Sequence, residues 1–291
     1  MDLKKICICA AAAVVLPLAA EVKAYFIELK HNDKKAEQAY LAQPFRFWTK
    51  NAYKTHPDKY NGLLVLSNSR VNYVFHLFGT LKNGMVKNLE IGMRRPSPYN
   101  WYAGGFLAIQ AGKHKLTAGK FAVSEVKGGS QSGYAELSFT DSPFTGKIRF
   151  ELADDDDKLQ LIFTPSSPQA YRIRLTAYPG AYGDAKRRVR KMITNLGEVE
   201  GNSKKLTPQD FWCVFGDSYY DRQYRRGDGC CAFLFNPKEI LPGSILRSGY
   251  ACLADLYGRQ GKPTSLILWD FKGCSISQAV SYMKKLDVKF E

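Results

Sequence analysis

The chain has 291 residues and a formal charge of +15. Its 45% apolar content is enough to bury a real core, which excludes a disordered or low-complexity chain. The positive charge favours acidic partners such as anionic polysaccharide or phospholipid headgroups over neutral ones.

Lys4 and Lys5 open the chain with positive charge, and Ile6 to Ala20 then run without a charge, with Pro17 near the end. Ala20 and Ala24 are small residues suited to cleavage. This layout predicts a secretory signal peptide over residues 1–24, with the mature chain starting near Glu21 or Tyr25 and working as a secreted or periplasmic protein. The apolar run falls short of the about 20 residues of a transmembrane helix, and no later run reaches that length. The mature chain is therefore expected to have no transmembrane span. Cys7 and Cys9 belong to the signal. The other five cysteines, Cys213, Cys230, Cys231, Cys252 and Cys274, sit in the last third, and an odd number leaves at least one thiol unpaired. On a strand, adjacent Cys230 and Cys231 point to opposite faces, one to the core and one to the surface.

A short helix is predicted at Ala36 to Ala42. After Pro44 the sequence turns to β. Gly62 to Ser67, Asn72 to Gly79, Val86 to Met93, Phe106 to Ala111, Lys120 to Val126 and Gly133 to Thr140 are rich in Val, Leu, Ile, Phe and Tyr and punctuated by turn residues. Lys147 to Thr164 is the clearest hairpin. Ile148, Phe150 and Leu152 alternate with polar residues, as do Leu159, Leu161 and Phe163, and Asp154 to Asp157 supply a solvated turn. Tyr171 to Tyr178 is a further strand. Asp184 to Asn195 is strongly basic and fits an amphipathic helix or an exposed loop. Gly197 to Lys205 is a linker. Phe211 to Phe215, Cys231 to Phe235, Tyr250 to Tyr257 and Ser265 to Phe271 are strands. Ser277 to Leu286 is an amphipathic helix with Ser275 or Ser277 as its cap.

Many short strands with turn residues between them predict a mainly β chain. The expected architecture is a large antiparallel β-sandwich over residues 25–291 with a C-terminal amphipathic helix, and a possible subdomain division near 179–206.

Two segments combine aromatic and polar groups. Arg94, Asn100, Trp101 and Tyr102 offer a cation, an amide and rings on which a sugar can stack, although aromatic residues more often fill cores. Trp212, Asp217, Tyr220 and Asp221 form the second set. Carboxylates spaced in this way can act as acid and base, but the following Arg222, Arg225 and Arg226 make ion pairing the simpler account. His31, His56, His76 and His114 are scattered. No nucleophile elbow, zinc-protease, phosphate-loop or dinucleotide motif is present. The expectation is therefore no cofactor, no metal site and no specific nucleic-acid partner.

The Asn100-Trp101-Tyr102 turn before Gly105-Phe106 resembles the large sandwiches of the galactose-mutarotase-like class. So does the run from Asp217 through Cys231 to Phe233-Leu234-Phe235 and Leu268-Trp269-Asp270-Phe271. The resemblance implies a supersandwich of the kind found in sugar-processing enzymes and exported bacterial proteins. Mutarotases of the class use histidines and a glutamate, and no histidine pair here matches that role. The functional expectation is an exported, non-catalytic carbohydrate-binding protein. The alternatives are a polysaccharide lyase or hydrolase, or a basic envelope-associated structural protein.

Overall fold

The computed structural model describes residues 21–29, 57–180, 190–218, 229–271 and 273–286. The expected helix at 36–42 and most of the proposed signal peptide lie outside these residues.

The first half of the chain supplies β1 (Lys23–Leu29), β2 (Lys59–Ser67), β3 (Asn72–Lys82), β4 (Met85–Arg95), β5 (Leu107–Ala111) and the short β6 (His114–Lys115). It continues with β7 (Lys120–Lys127), β8 (Ser132–Thr140), β9 (Gly146–Ala153), β10 (Leu159–Pro165) and β11 (Tyr171–Ala177). Then come β12 (Arg190–Thr194), β13 (Gly197–Glu198), β14 (Ser203–Lys205), β15 (Trp212–Asp217) and β16 (Cys230–Phe235). The last elements are β17 (Ile240–Ser248), β18 (Ala251–Gly258), β19 (Thr264–Asp270) and the helix α1 (Ile276–Lys285).

These strands build two antiparallel sheets. The first runs β1-β2-β3-β4-β5-β11-β18-β17-β14, with β6 beside β5. The second runs β13-β12-β15-β16-β19-β10-β9-β8-β7. In each sheet the strands from before residue 179 form one contiguous block and those from after it another, and the blocks join at β11–β18 in the first sheet and at β10–β19 in the second.

The alternation in the strands explains the packing. Along β11 every second residue, Tyr171, Ile173, Leu175 and Ala177, is buried, and Ile148, Phe150 and Leu152 do the same on β9. These inward rows meet between the sheets. Phe75 of β3 stacks on Phe150 of β9 at 4.2 Å between ring centroids, and Phe106 lies 6.0 Å from Phe75. The interior is one continuous apolar core to which both sheets contribute.

The second sheet also has a covered outer face. Ser275 caps α1 by accepting from the Gln278 amide N–H, and the Gln278 side chain accepts from the Ser275 N–H, which completes a capping box. The buried face of α1, Ile276, Ala279 and Met283, packs with Trp212, Val214, Cys230, Ala232 and Leu234 of β15 and β16.

Three sequence expectations change. Arg190 to Thr194 is a strand rather than a helix or loop, because Arg190, Met192 and Thr194 alternate inward and the segment pairs with β15. The expected linker Gly197 to Lys205 contains β13 and β14. Cys230 and Cys231 do face opposite sides, yet both are buried: Cys231 in the core between the sheets, Cys230 beneath α1. The strand β17 went unread because Pro242 and Gly243 interrupt its alternation at a bulge between Leu241 and Ser244.

Candidate functional site

The residues singled out in the sequence separate into three places. Arg94, at the end of β4, donates from Nη2 to His76 Nδ1 at 2.9 Å. Asn100 is fully buried, and its Nδ2 donates to Asp270 Oδ1 at 2.7 Å. Trp101 is also fully buried, facing Phe106 at 6.4 Å, so its ring is core and offers no face to a sugar. Tyr102 is half-buried and lies 4.3 Å from Tyr178. Trp212 is buried under α1, and Asp217 is fully buried in an ion pair with Arg190 at 2.8 Å. Asp217 is thus held inside the fold rather than offered to a ligand. Tyr220 and Asp221 lie outside the described residues.

What the fold assembles instead is the outer face of the first sheet. Side chains alternate across a strand, so the residues between the core rows point away from the second sheet. The register of β3, β4, β5, β11 and β18 aligns Leu77, Ile91, Leu107, Leu175 and Ala254 on the inner side. One residue further along each strand gives an outer row: Phe78, Glu90, Ala108, Arg174 and Asp255. Asn61 of β2 pairs with Phe78 and extends the row, and Ser244 of β17 pairs with Asp255 at its far end. From Phe78 to Asp255 the row crosses four strand spacings, roughly 19 Å.

The 96–105 turn bounds this face. Tyr102 N–H donates to Thr176 O at 3.0 Å, and Tyr178 N–H donates to Tyr99 O at 2.9 Å, so the turn bridges β4 and β11. It lies directly over Gly92: a Cβ there would stand 1.9 Å from the Ala103 carbonyl oxygen, which only glycine permits.

His76 is held between two partners. Arg94 can only donate, so His76 Nδ1 must accept, which leaves the proton on Nε2 for Asn61 Oδ1 at 3.0 Å. Burial first, and the Arg94 charge second, push its pKa down to about 3. The ring is therefore neutral across the physiological range with both nitrogens occupied. Arg174 grips Asp255 with two bonds, Nε to Oδ1 at 2.7 Å and Nη2 to Oδ2 at 2.6 Å, and Arg172 Nη1 stands 3.6 Å from the same carboxylate. Glu90 is exposed, and burial of part of its carboxyl raises its pKa against the opposing pull of Lys115.

Two pockets open on this face. One, of 380 Å³, lies over β2, β3 and β4 and is lined by Asn61, His76, Phe78, Thr80 and Asn88. The other, of 540 Å³, lies over β5, β11, β17 and β18 and is lined by Gln110, Arg172, Leu241 and Tyr257. Tyr257 is 43% exposed and presents a ring there, and Arg172 Nε is buried with no hydrogen-bond partner. Both pockets combine an aromatic surface with amides and a cation. The sequence signal for them was spacing alone: His76 with Phe78, Arg172 with Arg174, and Asp255 with Tyr257 are each two residues apart, hence on one face.

No protein-family profile matches the chain, and no curated protein matches its sequence. Solved structures give remote likenesses. HI1317 is 11% identical over 74% of this chain and 96% of its own, with a TM-score of 0.38. A Paenibacillus xanthan lyase is 10% identical over 80% of this chain, with a TM-score of 0.44. The α-galactosidase AgaA of Geobacillus stearothermophilus is 8% identical over 72% of this chain, with a TM-score of 0.38. The match spans only 26% of the lyase and 41% of the galactosidase. The last two are carbohydrate-active enzymes by name, and the likeness is one of sandwich architecture at low sequence identity.

Proposed function

We propose that this chain is an exported carbohydrate-binding protein that uses the outer face of its first sheet and carries out no catalysis. The observation that carries the reading is the row from Phe78 to Asp255, with an aromatic, amide-lined pocket near each end. A long, shallow face with rings at its ends suits an extended chain of sugar units better than one small compact substrate. Apolar walls with a few directed polar groups are the usual composition of such sites.

The chemistry of the face supports binding over turnover. His76 is neutral with both nitrogens engaged, and Asp255 is clamped by Arg174, so neither is poised to move a proton. Asp217, the carboxylate on which an enzyme reading would lean, is buried against Arg190.

The test is binding to a panel of neutral and acidic polysaccharides at low and high salt, with Phe78→Ala and Tyr257→Ala beside the parent. Salt-resistant binding weakened about tenfold or more by each variant, a loss of about 1.4 kcal/mol, supports the reading. Binding confined to acidic polymers and abolished by salt would assign the effect to net charge and favour an envelope-associated structural protein. Turnover of a polysaccharide would replace binding with catalysis.

A further inference from the structure

Strand register puts Gln110 of β5, Arg172 of β11, Tyr257 of β18 and Leu241 of β17 in one line across the first sheet. Their chain neighbours Ile109, Tyr171, Ile173, Leu256 and Ile240 are buried in the core, so the line itself faces outward. All four residues line the 540 Å³ pocket at that end of the outer face, and among the described residues no acidic side chain lines it.

The charges beside the pocket do not balance. Arg174, two residues along β11 from Arg172 and so on the same side, holds both oxygens of Asp255, at 2.7 and 2.6 Å. Arg172 stands 3.6 Å from that carboxylate through Nη1, too far for a hydrogen bond, and its buried Nε has no partner. Elsewhere on the face, Lys115 opposes the charge of Glu90, and Arg94 is engaged with His76. At the pocket the surplus positive charge therefore rests on Arg172.

The neighbours of Arg172 suit a sugar ring. Tyr257 is its cross-strand partner, so their Cβ atoms stand about 4.5–5.5 Å apart. The Tyr257 ring is exposed, and so is Leu241 beside it. Gln110 donates Nε2 to the Gly112 carbonyl at 3.2 Å and keeps Oε1 to accept from a hydroxyl. A pyranose stacked on Tyr257 brings a carboxylate on its own ring within reach of Arg172, whose planar fork matches two carboxylate oxygens. A bare anion would leave Tyr257 and Leu241 unused, and a neutral sugar would leave the charge unanswered.

We propose that the Arg172–Tyr257 pocket takes a uronic acid unit, so that the face binds a carboxylated polysaccharide. This rests on the carbohydrate-binding reading and narrows its ligand class.

The test is calorimetric titration of the full chain with oligomers of galacturonate and of glucuronate, beside their methyl esters and a neutral glucan. The esters keep every ring and remove the charge. Salt at about 0.5 M largely screens diffuse attraction. At least one acid oligomer is expected to bind tenfold or more tightly than its ester. Arg172→Gln should erase that difference, and Tyr257→Ala should weaken both forms. Lys285→Gln, which removes one charge from α1, should leave the difference intact. Thermal melting checks that each variant folds. Equal affinity of the parent for acid and ester would overturn the uronate assignment while the carbohydrate reading stood, as would binding of the glucan without either acid. A difference that survives Arg172→Gln, or that Lys285→Gln removes, would also overturn it. Binding of no oligomer at all would overturn the carbohydrate reading together with this one.

Discussion

Asn100 and Asp270 stand 170 positions apart in the chain and meet through a 2.7 Å hydrogen bond between the 96–105 turn of the first sheet and the end of β19 in the second. Ser97 N–H donates to the other carboxylate oxygen at 3.2 Å, and Cys231 Sγ donates to the Asn100 carbonyl at 3.1 Å. This polar node fixes the turn that bounds the proposed binding face. Asn100→Ala removes one donor from a buried carboxylate and is expected to cost about 1–3 kcal/mol. Chemical denaturation should show the loss of stability. Sugar binding should weaken in parallel if the turn shapes the face, and an Asn100→Ala chain as stable as the parent would contradict the node.

The Arg190–Asp217 pair makes a different prediction. Both side chains are almost completely buried, and Arg190 Nε also donates to the Tyr250 carbonyl at 3.0 Å. Asp217→Ala removes a buried carboxylate from a buried guanidinium, and breaking such a pair costs up to about 3–5 kcal/mol. The expected result is a large fall in melting temperature with unchanged sugar affinity in the fraction that remains folded. A stable Asp217→Ala chain that had lost sugar binding would move the site from the outer sheet face to β15.

His76 sets a pH dependence. Its pKa in the fold, about 3, lies below the ordinary value of 6.5, so between these values the unfolded chain binds the proton and the folded chain does not. Stability is therefore complete above about pH 6.5 and falls as pH drops toward 3, by about 1.4 kcal/mol for each unit of depression. His76→Gln keeps an acceptor for Arg94 and a donor for Asn61 but cannot titrate. Comparing urea midpoints of the two chains from pH 7 to pH 4 should show a steeper decline for the parent. Equal slopes would mean that His76 is not held neutral.

The proposed signal cleavage can be placed from the fold. Val22 is fully buried, and its backbone exchanges hydrogen bonds of 2.9 and 3.1 Å with Gly129. Lys23 and Ala24 pair with Ser67 and Leu66 in β1 and β2. Cleavage after Ala20 leaves all three in place, whereas cleavage after Ala24 deletes them, with a loss of about 1.5–3 kcal/mol for the buried valine alone. We expect mass spectrometry of exported protein to give Glu21 as the first residue. A mature chain starting at Tyr25 with undiminished stability would show that this edge contributes nothing.

Sequence and structure agree where one physical rule decides. Ile148, Phe150 and Leu152 alternate because one face of β9 meets the core, so that hairpin was legible. Ser275 and the spacing of Ile276, Ala279 and Met283 marked the helix for the same kind of reason. The binding face was not legible, because it depends on which strands become neighbours. Nothing near Phe78 in sequence says that Arg174 and Asp255 will share its row. Local patterning also misplaced the aromatic candidates: Trp101 and Trp212 look alike beside Tyr102 in a list of residues, yet two are sealed in cores. Charge misled at Arg190, whose place in a basic run suggested solvent, because its buried partner Asp217 is 27 positions away.

The position of β19 has a consequence for how the molecule is made. This strand is inserted between β16 and β10, so it joins two parts of the second sheet that are otherwise separate. A chain ending before Thr264 would hold both of those strands with an open edge, Phe233 and Leu161 lacking their cross-strand neighbours Leu268 and Leu266. The second sheet is therefore completed only when Thr264–Asp270 has been made, although its β7–β10 block and the β1–β5 and β11 block of the first sheet precede it in the chain.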